Sequence, residues 1–441
     1  MGKPPFYFLI EETSRELSSR LLMTYFAGAM GYPVVILPQW LMWQNLHDLP
    51  RGIVLFKGNS AIQTQNMAVA KRAGHIVASI EEEAFGIADA NELRRCYDRD
   101  AGLHCDLFLF QGPQHKAVAE NHLARIERSA ITGNPRADFL RPPLSEQIDA
   151  EARSIRVKYG PYLLINTNFA AANARDLDAF SYFEICGRAG WVDRDSPEDV
   201  DAWFFDALRY EKACLRSISA LVRGLVAENF PWNIVIRPHP AEKFETWSRN
   251  FDSLPRTKVL REGDHTAWTK AAGLLVHPSC TTGMEAYLMG TPSACIVPND
   301  ATRGRVMVSS LVNPTFSTVG GLHQFTMDRA LRKHGDEAGQ PNYDDVLRTY
   351  LTTWADKLSA HATVDALVDL AVNKGECLSN PSSRFALSSG VTEPDSSIDP
   401  ALLTPDALST KLAAICGQLG FTAPPRPREI APTIALFEPT P

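Results

Sequence analysis

The chain has no Cys-x-x-Cys pair among its eight cysteines, so zinc-ribbon spacing is missing. It has no basic excess either. The formal net charge is −7, which argues against a dedicated nucleic-acid binder, although an acidic protein can still hold a locally basic pocket. The opening Met1-Gly2-Lys3-Pro4-Pro5 runs straight into Phe6–Ile10, an apolar run too short for a signal segment or a membrane span. Scattered cysteines without a signal segment fit a reducing compartment. The expectation is a cytoplasmic protein, with peripheral contact at the inner face of the inner membrane left open. No short repeat occurs, and no Asp-x-Asp-like metal motif stands at an expected strand end. No metal and no cofactor are therefore expected.

What is present is ordinary for a soluble globular protein: 45% hydrophobic and 22% charged residues. At 441 residues the chain is too long for one core, so two domains and an appendage are expected. Short β-rich runs alternate with helical patterns. Phe6–Ile10, Pro33–Leu37, Gly52–Phe56, His75–Ile80 and Asp106–Phe110 read as strands, and 129–138 as a last short strand with its turn at Asn134-Pro135. Thr13-Ser14-Arg15-Glu16 has the form of a capping box opening a helix to about Met30. A helical stretch over 143–158 leads to a second alternation. Its strands are Tyr162–Asn166, Asn233–Ile236, Lys258–Leu260, Gly273–Val276 and Ala294–Val297. Helices are expected over 197–230, 241–250, 266–271 and 282–289. Alternating β and α elements imply parallel sheets covered by helices on both faces. The expected organisation is a Rossmann-like acceptor domain over 1–150, a Rossmann-like nucleotide-sugar domain over 151–330 and a helical extension over 331–375. A flexible linker and tail over 376–441 follow, with one amphipathic helix at 405–419.

Candidate chemistry gathers where strands end, because ligands of open α/β sheets bind at the carboxyl ends of strands. Ile234-Val235-Ile236-Arg237-Pro238-His239-Pro240-Ala241-Glu242 is a strand stopped by two prolines. Arg237 and His239 there can donate charge-assisted hydrogen bonds to phosphate; equally, Arg237 can pair locally and His239 can cap its loop. Next, His277-Pro278-Ser279-Cys280-Thr281-Thr282-Gly283-Met284-Glu285 is a hydroxyl-rich turn from strand to helix. Such a helix start is an anion site. Ser279, Thr281 and Thr282 add hydroxyls, and Gly283 lets a ligand approach the backbone. Glu285 can hold ribose hydroxyls, or it can close a capping box with Thr282. Cys280 reads as a packing residue rather than a nucleophile. In the first half, Glu81-Glu82-Glu83 ends a strand. Crowded carboxylates raise a pKa, which suits a general base, and Glu82 and Glu83 are the candidates; a solvated acidic loop is the plainer account. Lys57, Asn166 and Asn168 stand at other strand ends as acceptor or sugar ligands, or as turn caps.

At these residues the sequence resembles the bacterial surface carbohydrate biosynthesis proteins, from the first strand to about residue 330. The resemblance is carried by Thr132-Gly133-Asn134-Pro135-Arg136-Ala137-Asp138, Leu164-Ile165-Asn166-Thr167-Asn168-Phe169, Arg237-Pro238-His239-Pro240 and His277-Pro278-Ser279-Cys280-Thr281-Thr282-Gly283. That group is similar to the GT-B glycosyltransferases of capsule and lipopolysaccharide, and within them to the retaining β-Kdo transferases and, more distantly, the bacterial sialyltransferases. The resemblance implies an α/β GT-B fold, two doubly wound Rossmann-like domains facing a cleft, and a CMP-sugar donor. His239-Pro240 and Ser279–Thr282 match the sialyltransferases' His-Pro and Ser/Thr motifs. Glu81–Glu83 departs from their acidic motif, because Ala84-Phe85 separate the acids from Gly86. A retaining route through a covalent adduct needs a carboxylate nucleophile, and Glu242 is one candidate.

The expected function is therefore metal-independent transfer of a Kdo-like acidic sugar from a CMP-sugar to a surface glycan or glycolipid acceptor. His277, with Arg237, His239 and the 279–283 turn, is expected at the nucleotide sugar. The alternatives are a nucleotide-sugar 2-epimerase, a CDP-polyol phosphotransferase and a non-catalytic binding subunit, since a fold does not decide a function.

Overall fold

The structure, a computed structural model, describes residues 3–175, 178–298, 306–331, 342–353, 356–374 and 397–439. The linker expected over 376–396 lies outside the described residues, as do 332–341 of the expected helical extension. In chain order the strands are β1 (Phe6–Ile10), β2 (Val34–Pro38), β3 (Ile53–Phe56), β4 (Ile76–Ile80), β5 (Leu107–Phe110), β6 (Ser129–Ile131), β7 (Tyr162–Asn166), β8 (Asn233–Arg237), β9 (Thr257–Val259), β10 (Leu274–His277), β11 (Ser293–Ile296), β12 (Thr315–Phe316), β13 (Pro427–Ala431) and β14 (Ile434–Phe437).

Two compact units result. The first gathers the described residues within Met1–Phe85, Cys96–Leu144 and Leu351–Pro441. Its sheet has the order β13-β14-β2-β1-β3-β4-β5-β6. Strands β1 to β6 run parallel, and the β13–β14 hairpin joins antiparallel along β2. A parallel sheet is covered on both faces, so its strands read as continuous apolar runs; every residue of β1 and β4 is buried. The core lies between this sheet and helices Thr13–Ala29, Ser359–Lys374 and Pro405–Gln418, which contribute Leu17, Leu21, Leu22, Leu367, Leu370, Leu408 and Leu412.

The second unit gathers the described residues within Gly86–Arg95 and Ser145–Tyr350. Its sheet, β12-β11-β10-β7-β8-β9, is parallel throughout. The long helix Asp206–Ala227 packs Ile218, Leu221, Val222 and Leu225 onto it. A separate aromatic cluster of Trp203, Phe204, Tyr182 and Phe183 holds the helix Ala179–Ala189. Among the described residues no helix is long and apolar enough to cross a membrane.

The division differs from the expected one in three places; one is that the described part of the expected extension 331–375 is shared out, with residues up to Tyr350 in the second unit and those from Leu351 in the first. Gly86–Arg95 pairs with the second unit, through the Ile87–Met307 bridge and the Ala88 amide on the Val306 carbonyl. Residues 397–439 fall in the expected linker and tail; the helix expected at 405–419 is found as Pro405–Gln418, but the end expected to be loose finishes the first sheet, and the segment buries Leu403, Leu408, Leu412 and Phe437. The proline-rich composition that looked like a loose end serves an edge strand, the position where proline is tolerated in a sheet.

Candidate functional site

Each sheet has a switch point, where the chain stops building outward on one side and starts on the other. In the first unit it falls between β1 and β3; in the second, between β7 and β10. Crevices at such points, outside the carboxyl ends of the strands, are where open α/β sheets hold ligands.

At the switch point of the first unit the strand ends carry a buried charge network. Lys57, just past β3, is 5% exposed and pairs with Glu16 at 2.5 Å and with Glu11. It is therefore bound into the protein rather than presented to a sugar. Arg20 donates to the Leu9 carbonyl at 3.0 Å and to Glu82 at 2.8 Å. Burial alone would raise the Glu82 pKa, but Arg20 and Lys57 outweigh it and hold the carboxylate well below its usual range. Glu82 is thus a fixed anion rather than a base. Glu83 is exposed, and its amide donates to Glu81 Oε1 at 3.2 Å. The member whose pKa is raised is Glu81, the one the sequence did not single out. Burial pushes it up to about 8, with the charge of Glu83 adding to that and the hydrogen bonds from Asn59 opposing it. Glu81 Oε2 accepts from the Asn59 amide at 2.7 Å and from Asn59 Nδ2 at 3.0 Å. Desolvation, more than crowding, sets this carboxyl apart.

Glu16 also corrects the expected capping box. The helix has Glu12 at its N-cap, and Thr13 bonds instead to Ser397 and Asp399. Glu16 does reach back, accepting from the Glu11 amide at 2.8 Å and the Glu12 amide at 3.4 Å.

At the second unit's switch point, β7 and β10 end side by side at Asn166 and His277. Asn166 is 5% exposed with Oδ1 lacking a protein partner, while Asn168 is exposed. The turn after β10 brings the chain through Ser279, whose φ of 52° is left-handed, into helix Thr281–Leu288. Ser279 is 8% exposed, and its hydroxyl lies beside the Cys295 thiol with no nitrogen or oxygen partner. Thr281 and Thr282 are half-buried. A helix start of this kind presents partial positive charge and amide donors to an anion. The N-cap is Cys280, so Thr282 and Glu285 form no capping box. Glu285, 4% exposed, faces His265 Nε2 at 3.0 Å. Burial pushes the Cys280 thiol up to about 11, which keeps it un-ionised and unsuited to nucleophilic attack.

The Arg-x-His motif takes the local of its two expected parts, with carbonyls rather than a carboxylate as the partners of Arg237. Arg237 directs its terminal nitrogens at the carbonyls of Glu262 at 2.6 Å, Gly263 at 3.0 Å and Arg261 at 3.5 Å, and lies over the Trp268 ring. In return Arg261 holds the carbonyls of Pro238 at 3.1 Å and His239 at 2.7 Å, and that of Glu242. Two arginines thus lace together the loops that follow β8 and β9. His239 is exposed, and its Nδ1 accepts from the Ala241 amide at 3.2 Å, closing its own turn. Glu242 is 0% exposed and accepts from Thr167 at 2.5 Å, Trp247 at 2.9 Å, Asn173 at 3.2 Å and the His239 amide at 3.2 Å. Such a saturated carboxylate braces a loop and is no covalent nucleophile. His239 and Trp247 are near it in sequence, but Thr167 and Asn173 are remote, and no local pattern reveals them. Among the described residues no group of three or more His, Cys, Asp or Glu side chains is placed to hold a metal ion.

No protein-family profile matches the chain, and no curated protein matches its sequence. Solved structures do match. The UDP-GlcNAc 2-epimerase of Methanocaldococcus jannaschii, in complex with UDP-GlcNAc and UDP, is 13% identical with a TM-score of 0.50, over 83% of this chain and 99% of that one. S. aureus MnaA with UDP is 12% identical with a TM-score of 0.47, over 85% and 97%. Anabaena Alr3699/HepE with UDP and glucose is 12% identical with a TM-score of 0.39, over 85% and 99%. The first of these likenesses identifies the fold as GT-B-like, two Rossmann-type units, in agreement with the alternation read from the sequence.

Proposed function

We propose that the chain is an enzyme acting on a nucleotide sugar, and that its reaction is inversion of the sugar at carbon 2 rather than transfer to an acceptor. The phosphates would lie at the Ser279–Gly283 helix start, with Glu285 toward the ribose and Asn166 toward the base or sugar. The observation that carries the nucleotide assignment is that start: a switch-point helix entered through a left-handed serine whose buried hydroxyl, beside the Cys295 thiol, has no nitrogen or oxygen partner in the protein. In the matching fold of the M. jannaschii enzyme the bound molecules are UDP-GlcNAc and UDP. Inversion at carbon needs a group that gives and takes a proton, and Glu81, neutral below about 8, is suited to that. A retaining transferase loses its proposed nucleophile with Glu242. Glycosyl transfer from a CMP-sugar remains the second reading, favoured by the ordered motifs shared with the surface carbohydrate biosynthesis proteins.

One incubation separates the two. With UDP-GlcNAc in D₂O and no acceptor, an epimerase yields the 2-epimer with deuterium at carbon 2, read by NMR. No epimer there, but CMP released from a CMP-sugar only when an acceptor glycan is added, restores the transferase. A thermal-shift panel of UDP, CMP, CDP and GDP reports the base, because a ligand of the folded state raises its apparent stability. Glu81→Gln is expected to lower turnover by about a hundredfold or more while UDP affinity is kept.

A further inference from the structure

Beneath the Ser279–Gly283 start lies a side chain with no ordinary structural account. His277 is 0% exposed. Its Nδ1 faces the Cys280 amide at 3.5 Å and therefore accepts. The proton of the neutral ring is then on Nε2, which has no hydrogen-bond partner. A buried donor left in this state is costly, so the ring must be held there by something else. Directly above it is Gly283: a Cβ at that position would lie 2.1 Å from Nε2, 2.3 Å from Cε1 and 2.8 Å from Cδ2. The α-carbon of Gly283 therefore rests on the imidazole, and only glycine fits. The same turn is tied at other points. Tyr210 donates to the Pro278 carbonyl at 3.1 Å, and Asn313 Nδ2 donates to the Gly283 carbonyl at 3.0 Å and to that of Ser309 at 2.8 Å.

We infer that His277 is a positioning residue for the helix start, a seat that fixes the height of the first-turn amides through Gly283 and the left-handed turn at Ser279, without touching the ligand. This rests on the reading of that start as the nucleotide-phosphate site. It differs from the direct contact expected from the sequence. It also assigns Gly283 a purpose other than room for a ligand, namely room for the ring. A ring whose pKa burial lowers to about 3 stays neutral at working pH, in keeping with a steric rather than an ionic part.

The test combines UDP titration calorimetry with urea unfolding on Gly283→Ala, His277→Ala, His277→Asn and the His277→Ala/Gly283→Ala double variant. Gly283→Ala is expected to weaken UDP binding about tenfold or more, since site geometry tolerates only about 0.5 Å of error. The double variant should bind better than Gly283→Ala alone, because the clash is gone. His277→Asn, whose amide oxygen replaces Nδ1 for the Cys280 amide, should stay within about threefold of the parent. Nitrogen-15 spectra should show the same neutral Nε2–H ring before and after UDP. A strictly additive double variant, or UDP converting the ring to imidazolium, overturns the inference. If the parent chain binds no UDP or other nucleotide, the functional reading fails. The seat is then judged from unfolding alone: Gly283→Ala must lower the urea midpoint when His277 is present and not when it is alanine.

Discussion

Arg20 and Glu82 are 1% and 2% exposed and meet at 2.8 Å. Removing one partner of such a pair strands a buried charge, so Arg20→Met should lose about 3–5 kcal/mol in urea unfolding. The Arg20→Met/Glu82→Leu protein should recover most of that loss, because replacing both partners by apolar groups is often close to neutral. Glu81 gives the pH dependence. Its folded pKa of about 8 lies above its ordinary 4.5, so folding takes up a proton between these values. Its contribution to stability is therefore full below about 4.5 and is lost as pH rises to about 8. A Glu81→Gln protein should show a flatter stability profile across that window, measured by urea unfolding at successive pH values. The sequence placed three acids at one strand end and expected one raised pKa. It named Glu82 and Glu83, and the raised one is Glu81. Arg20 chose Glu82 as its partner from a helix 62 residues away, leaving Glu81 buried with neutral donors only.

Helix Ser359–Lys374 shows the same dependence on remote chain at the scale of an element. Its first amides, at Ser359 and Ala360, bond to Asp138 at 3.0 and 2.9 Å, across 221 and 222 residues. Gly133, at φ 69°, lies so close to this segment that a Cβ would come within 2.5 Å of the Thr352 carbonyl and of Ser359 Oγ. The ordered motif Thr132–Asp138 thus receives the returning chain. Asp138→Ala should cost about 1–2 kcal/mol, the loss of a cap, and should raise amide exchange at the start of that helix. Elements with strong local signals were legible in the sequence. Tyr162–Asn166 is found as read, and most strands and helices fall within a few residues of their expected bounds. The hairpin β13–β14 was not, because its strands are only five and four residues long and the prolines at Pro424, Pro425, Pro427 and Pro432 around them read as loop.

At the scale of the whole molecule the C-terminal segment is the clearest consequence. If 397–439 were a loose tail, removing it would be harmless. Here it supplies two strands and the helix Pro405–Gln418, with Leu408 and Leu412 0% exposed. Truncation after residue 396 should abolish cooperative unfolding of the first unit, and Leu412→Ala alone should cost about 2–5 kcal/mol, both read by circular dichroism in urea.

The sequence by itself determined the α/β alternation, the parallel strands of both sheets and the strand ends where chemistry could gather, because apolar periodicity and turn residues act over a few positions. It also marked the Ser279–Gly283 start, a local property of a strand, a turn and a helix. Tertiary structure alone decided which charged groups there are free. Arg237, Lys57 and Glu242 are bound into the protein by partners far along the chain, and Glu81 is set apart by burial. Hydrogen-bond satisfaction and desolvation depend on what the fold brings near, and no short stretch of sequence contains that information.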